Sequence, residues 1–225
     1  MVWVTIDGME TTRAGRPRLT ERRRPGTTAR DEILDAAAEL FTTRGYASTS
    51  TRAIAGAVGI RQASLYHYFK TKDELLSALL HQTVTPTLSF LAELEQTSAA
   101  HTLHALAAFD GAQLLTSQWN LGALYLLPEL REARLATFWT ERERLRLAYL
   151  DLSRSVLAQT GIAEDAADLP FRLVESLVNM WTPPPHPDPA GLAGHVADAC
   201  LRVLGVPEDE LAALRASEPA RAGRL

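Results

Sequence analysis

Only one cysteine, Cys200, occurs in the 225 residues, so no disulfide can form within the chain and the sequence suits a reducing compartment. Long apolar runs are absent, as is an apolar core behind a basic N-terminal flank; the expectation is a soluble, cytoplasmic protein with no membrane partner. Alternating β-branched stretches are missing too, which leaves nothing to build a sheet from. The nucleophile elbow, the HExxH pair, the P-loop and the dinucleotide fingerprint do not occur, so nothing argues for catalysis, a cofactor or a metal. His101 and His104 share a helix face, but no cysteine or carboxylate stands beside them at ligand spacing. Lysine and arginine are wholly absent between Asp73 and Glu129, where an acidic ligand would find little to pair with.

What the chain does have is helical periodicity and an uneven charge. Its net charge of −4 divides into +5 over residues 1–72 and −9 over the remainder. A basic head on an acidic body concentrates attraction for phosphate at one end. Residues 1–26 lack apolar periodicity and carry Arg13, Arg16, Arg18, Arg22, Arg23 and Arg24, the composition of a disordered basic arm. Within it Gly15-Arg16-Pro17 resembles the core of an AT-hook, which makes Arg16 and Arg18 candidates for an A·T minor groove. An untargeted basic tail is the alternative.

Thr27 or Thr28 can cap a helix over 29–44, with Asp31 and Glu32 in its first turn and Gly45 at its end. Thr49 or Ser50 can cap a second, whose Ala53, Ile54, Ala57 and Val58 recur at helical spacing and which Gly59 stops. A third follows over 62–69, with Leu65 and Phe69 four apart on one side. Two short helices joined at a glycine match the helix-turn-helix pattern. Beyond Asp73 the spacing predicts longer amphipathic helices over 73–96 with a kink at Pro86, then 101–117, 120–127, 129–159, 165–181, 190–204 and 208–215. The proline-rich stretch 182–189 is a stiff loop. The fold class is all-α: a three-helix head over 27–72, a helical body over 73–216 and a disordered tail over 217–225.

The run from Ile33 to Leu76, ILDAAAELFTTRGYASTSTRAIAGAVGIRQASLYHYFKTKDELL, resembles the N-terminal DNA-binding domain of the TetR family of bacterial transcriptional regulators. The match rests on the first helix, the Gly45-Tyr46 turn, Thr49 and Thr51, Ile54-Ala55, Val58-Gly59, Leu65-Tyr66, Phe69, Lys72 and Leu75-Leu76. One departure is Arg61, where most relatives carry serine or a similar cap; it suits an extra phosphate or guanine contact. The resemblance implies that Arg61, Gln62, Ala63, Ser64 and His67 face base edges, with Gln62 suited to adenine N6 and N7. By the same resemblance Thr49, Thr51, Tyr66, Tyr68 and Lys72 meet phosphates, which set register without reading sequence.

For the body the resemblance implies a ligand-binding and dimerisation domain. A cavity for a small inducer would draw on His104, Phe109, Gln113, Trp119, Tyr125, Trp139 and Asn179, and the missing basic residues favour a neutral or cationic apolar ligand. Phe171, Val174, Leu177, Val178, Trp181, Leu192, Val196 and Val203 would pair with a second subunit; packing within one chain is the alternative. The function implied is a homodimeric, ligand-responsive repressor on a palindromic DNA operator, with recognition helices about 34 to 36 Å apart and the 73–96 segment as lever, pivoting at Pro86. Two alternatives stay open: an architectural DNA-binding protein without an inducer, and an enzyme on the same helical fold.

Overall fold

The computed structural model describes residues 24–94, 97–126, 135–183 and 186–217. Ten α-helices lie within them: α1 (Ala29–Arg44), α2 (Thr51–Val58), α3 (Gln62–Tyr68), α4 (Lys72–His81), α5 (Thr85–Glu93), α6 (Ala99–Thr116), α7 (Ala136–Thr160), α8 (Leu169–Met180), α9 (Pro189–Val203) and α10 (Glu208–Ser217). Short 3-10 helices span Leu121–Leu126 and Glu164–Asp168. Among the described residues there is no strand, and no helix is long and apolar enough to cross a membrane.

The caps explain where the head's helices begin. Thr28 and Asp31 form a reciprocal capping box at α1: the Asp31 amide donates to Thr28 Oγ1 at 3.2 Å and the Thr28 amide to Asp31 Oδ2 at 2.9 Å. Ser50, not Thr49, caps α2 by accepting from the Ala53 amide at 3.1 Å, and Thr71 caps α4. Gly59 leaves α2 at a left-handed φ of 77°, and the Ile60 amide reaches back to the Ala55 carbonyl at 3.0 Å. α3 starts at Arg61 with no side-chain cap, as its sequence implies.

Proline sets two boundaries that periodicity misplaces. The expected kinked helix over 73–96 is instead two helices, α4 and α5, separated by Gln82–Val84; Pro86 stands in the first turn of α5. Proline lacks an amide proton, and the first turn is where that loss costs no hydrogen bond. Pro170 likewise opens α8, so the segment expected over 165–181 divides into a 3-10 turn and a helix. The piece expected over 120–127 is the 3-10 helix Leu121–Leu126. The helix expected to start at Glu129 is described from Ala136 on, residues 127–134 lying outside the described residues.

One apolar core runs from head to body. Ile33, Ala37, Phe41, Ile54, Leu65 and Phe69 join Leu75, Leu79, Leu103, Phe138, Tyr149 and Phe171 in a single buried cluster. In the body α6 lies along α9, with α7 and α8 packed beside it. Gly111 makes that approach possible, because a Cβ there would sit 2.9 Å from Leu177 Cδ1 and 3.1 Å from Ala193 Cβ. The face of α8 assigned to a partner subunit is therefore a core face: Phe171, Val174, Leu177 and Val178 are each under 5% exposed within their own chain. An amphipathic helix reports that it has an apolar stripe, not which surface covers it.

Gly111→Val should lower stability by about 3 kcal/mol, since its Cβ alone would crowd Leu177 and Ala193 and two methyls extend beyond it. Gly194→Ala, with nothing within 4 Å of its Cβ position, should raise it by up to about 1 kcal/mol. Denaturant midpoints of the two variants decide; equal shifts would put the close approach elsewhere.

Candidate nucleic-acid interface

Two side chains hold α3 against the head. Leu65 is 0% and Phe69 3% exposed, and the Arg30 guanidinium covers the Phe69 ring at 5.0 Å. With those positions inward, helix geometry turns the remainder out. Arg61, Ala63, Tyr66, His67 and Tyr68 are exposed, and Gln62 and Ser64 are half-buried. Tyr66 and Tyr68 keep 39% and 48% of their surface in water, unusual for aromatic rings on so small a helix. The side chains expected at base edges thus share one outward surface with Tyr66, Tyr68 and Thr51. Thr51 Oγ1 lies 3.1 Å from Tyr66 Oη and accepts from Gln62 Nε2 at 2.9 Å.

Two residues expected at phosphates are engaged within the head, Thr49 completely and Lys72 in part. Thr49 is buried, and its hydroxyl faces the Gly45 carbonyl at 2.9 Å and the Leu40 carbonyl at 3.1 Å. It closes the turn between α1 and α2 and has no surface left for a phosphate. Lys72 donates to the Tyr46 carbonyl at 2.9 Å and the Thr49 carbonyl at 3.0 Å, its ammonium 4.1 Å from the centre of the Tyr46 ring. Two of its three donors are spent tying α4 to that same turn. Sequence spacing finds such residues but cannot separate a phosphate contact from a turn clamp, because both need a donor at the same place.

Arg24 departs from the disordered arm expected over 1–26. Its guanidinium donates to Asp35 at 2.8 Å and also pairs with Glu39, while Nε reaches the Ala57 carbonyl at 3.4 Å. Asp35 in turn accepts from Trp119 Nε1 at 2.8 Å. Trp119 is thereby a bridge from the body to α1 rather than part of a ligand pocket. Arg16 and Arg18 lie outside the described residues.

The other expected ligand residues do not converge. His104 is buried with Nε2 3.0 Å from Asp198, which Arg215 also holds. Burial opposes the charge on Asp198, yet these two partners outweigh it and keep its carboxyl below the ordinary range. Phe109 stacks on Phe90 at 4.2 Å, Gln113 donates to the Gln82 carbonyl, Trp139 packs edge-on to Phe138, and Asn179 faces solvent. The Tyr125 side chain lies outside the described residues. A cavity of about 20 Å³ does open among Thr83, Val84, Asp110, Leu114, Arg142, Leu145, Phe171, Val174 and Glu175. Its polar wall is not legible in the sequence, because Asp110, Arg142 and Glu175 come from three helices. Asp110 accepts from Thr87 at 2.9 Å and from Tyr149 at 3.0 Å, and Arg142 pairs with Glu175. The signal that could have found it is Asp110 itself, the one acidic residue on the buried face of α6.

A family model described as bacterial regulatory proteins of the tetR family matches residues 33–79. The crystal structure of Mycobacterium smegmatis AmtR is 53% identical and superimposes with a TM-score of 0.79, over 88% of this chain and 97% of that one. The transcriptional repressor KstR2 of Mycolicibacterium smegmatis is 45% identical over 51 residues, which cover 23% of this chain and only 25% of the repressor's length. The fatty acid metabolism regulator protein of Bacillus subtilis is 26% identical over 160 residues, 67% of this chain and 81% of that protein.

The buried acid gives the body a pH signature. Burial lifts the Asp110 carboxyl from 3.8 to about 6, against the hydrogen bonds from Thr87 and Tyr149. Between those values the unfolded chain has released a proton that the native state still holds, so this group's contribution to stability falls as pH rises and levels off above 6. Asp110→Asn should remove that loss. Its stability relative to wild type should climb by about 2 kcal/mol between pH 4 and pH 6.5 and then stay nearly flat. Urea midpoints over that range are the measurement, and a constant difference would place the carboxyl in an ordinary environment.

Proposed function

Because the chain belongs to the TetR family of bacterial regulatory proteins, we propose that it is a repressor that binds a palindromic operator as a homodimer and is released by a small molecule. The coarser statement, that it is a DNA-binding transcriptional regulator, follows from the family. One observation supports the DNA-binding part of this reading: the outward face of α3, fixed by Leu65 and Phe69, gathers Arg61, Gln62, Ser64, His67 and two exposed tyrosines, and an α-helix fits a major groove. Thr51, Tyr66 and Tyr68 take phosphates at its edges, and Arg16 and Arg18 reach a flanking minor groove.

The dimer surface in this reading is the outer side of α8 and α9. Leu169, Leu173, Ser176 and Met180 recur at helical spacing on α8, as do Leu192, Val196, Ala199 and Val203 on α9. Leu169, Met180 and Val203 are 45%, 51% and 36% exposed, which favours a second subunit over them. The inducer enters at the cavity between α6, α7 and α8. At its present size the cavity holds about one water, so a metabolite must widen it. Asp110, Arg142 and Glu175 on its wall favour a ligand with hydrogen-bonding groups over a wholly apolar one. Thr83 and Val84, which also line it, form the link between α4 and α5. A ligand that prefers a displaced link moves α4, and with it the head, lowering operator affinity by its differential binding energy.

Selection from a random duplex library with the full-length chain should enrich a two-fold symmetric sequence. Gln62→Ala should weaken that duplex by about 1 to 3 kcal/mol and relax one position in each half-site. Equal competition by specific and random duplexes would instead support an architectural role. Val196→Arg together with Val203→Glu should yield a monomer by sedimentation with unchanged helicity and at least about a hundredfold weaker operator binding; a dimer that survives both changes would contradict the assigned surface.

A further inference from the structure

Gln62 opens α3 and Thr51 opens α2, and the two helix starts meet. The Gln62 amide nitrogen lies 2.9 Å from Thr51 Oγ1 and 3.3 Å from Tyr66 Oη, and those two hydroxyls are 3.1 Å from each other. Tyr66 belongs to the same face as Gln62 because it stands four residues on. A carboxamide has two N–H donors and one carbonyl acceptor. Here the amide nitrogen is turned inward onto both hydroxyl oxygens, and among the described residues no hydrogen bond engages Oε1.

We propose that Gln62 reads its base pair as a hydrogen-bond acceptor, taking the amino group of adenine N6 or cytosine N4 on Oε1 and leaving purine N7 unread. The inference rests on the DNA-binding reading above. A bidentate adenine contact, the one expected of an unrestrained glutamine, needs an N–H for N7. Freeing one breaks the ring that holds the side chain in place. Each base pair shows one such amino group in the major groove, at a place across the groove that differs between A·T and T·A and between C·G and G·C. Selectivity then comes from where Oε1 is held. Thr51 and Tyr66 are positioning residues: one of their hydroxyl protons closes the bond between them, and the other is left for a phosphate.

Comparing duplexes selected by the full-length wild type and by Gln62→Ala locates the base pair that Gln62 reads. At that pair two atom changes separate the possibilities. Removing the amino group, with purine in place of adenine or pyrimidin-2-one in place of cytosine, should weaken wild-type binding by about tenfold. Replacing the purine N7 by carbon should change it by less than about twofold. In Thr51→Val/Tyr66→Phe the N–H groups lose their ring, and the N7 replacement should then cost about as much as amino removal. An N7 effect in the wild type equal to the amino effect would overturn the inference, as would indifference to both changes. A selection that enriches no sequence would remove the regulator reading and this inference with it, whereas a clear operator with the wrong atom dependence removes the inference alone.

Discussion

A helix of seven residues cannot hold itself together in water, since it makes too few internal hydrogen bonds to offset the cost of nucleation. α3 exists because Leu65 and Phe69 are driven into the core that α1 and α2 share. That one constraint fixes the rest of the head. It decides which residues face outward, and it requires a sharp exit from α2, which Gly59 supplies with its left-handed φ. It also sets Gln62 against Thr51. The absent N-cap at Arg61 is tolerable for the same reason, because packing rather than capping holds the helix.

The head was legible in the sequence because its information is local. Thr28, Ser50, Gly45 and Gly59 mark their own boundaries, and the inward positions of α3 follow from a spacing of four. The body was legible in outline only. Pro86 reads as a kink if the helix is assumed to run through it and as a start if it is not; the chain takes the second course because a first-turn proline loses nothing. Phe171, Val174, Leu177 and Val178 read equally as core or interface, and burial within the chain assigns them to the core. Asp110, Arg142 and Glu175 lie far apart in sequence, so only packing brings them to one wall.

Head and body are joined by more than apolar packing. Trp119, on the loop before the 3-10 helix, donates to Asp35 of α1; Asp35 accepts from Arg24, and Arg24 touches the last turn of α2 through the Ala57 carbonyl. A displacement of the body near Trp119 therefore reaches α1, the root of the basic arm and the helix-turn-helix in a few bonds. α4 offers a second connection, clamped to the head by Lys72 and ending at the Thr83-Val84 link beside the cavity. Both connections run through few residues, which suits a regulator in which a change in the body alters the placement of α3.

In the proposed complex the outward face of α3 enters a major groove as one of a symmetric pair. Hydroxyl-radical footprinting of the selected duplex with the full-length protein tests it most directly. Two protected patches are expected on one face of the DNA, related by two-fold symmetry and centred about 10 to 10.5 base pairs apart or a multiple of that. A single patch, or protection spread evenly along the duplex, would contradict it.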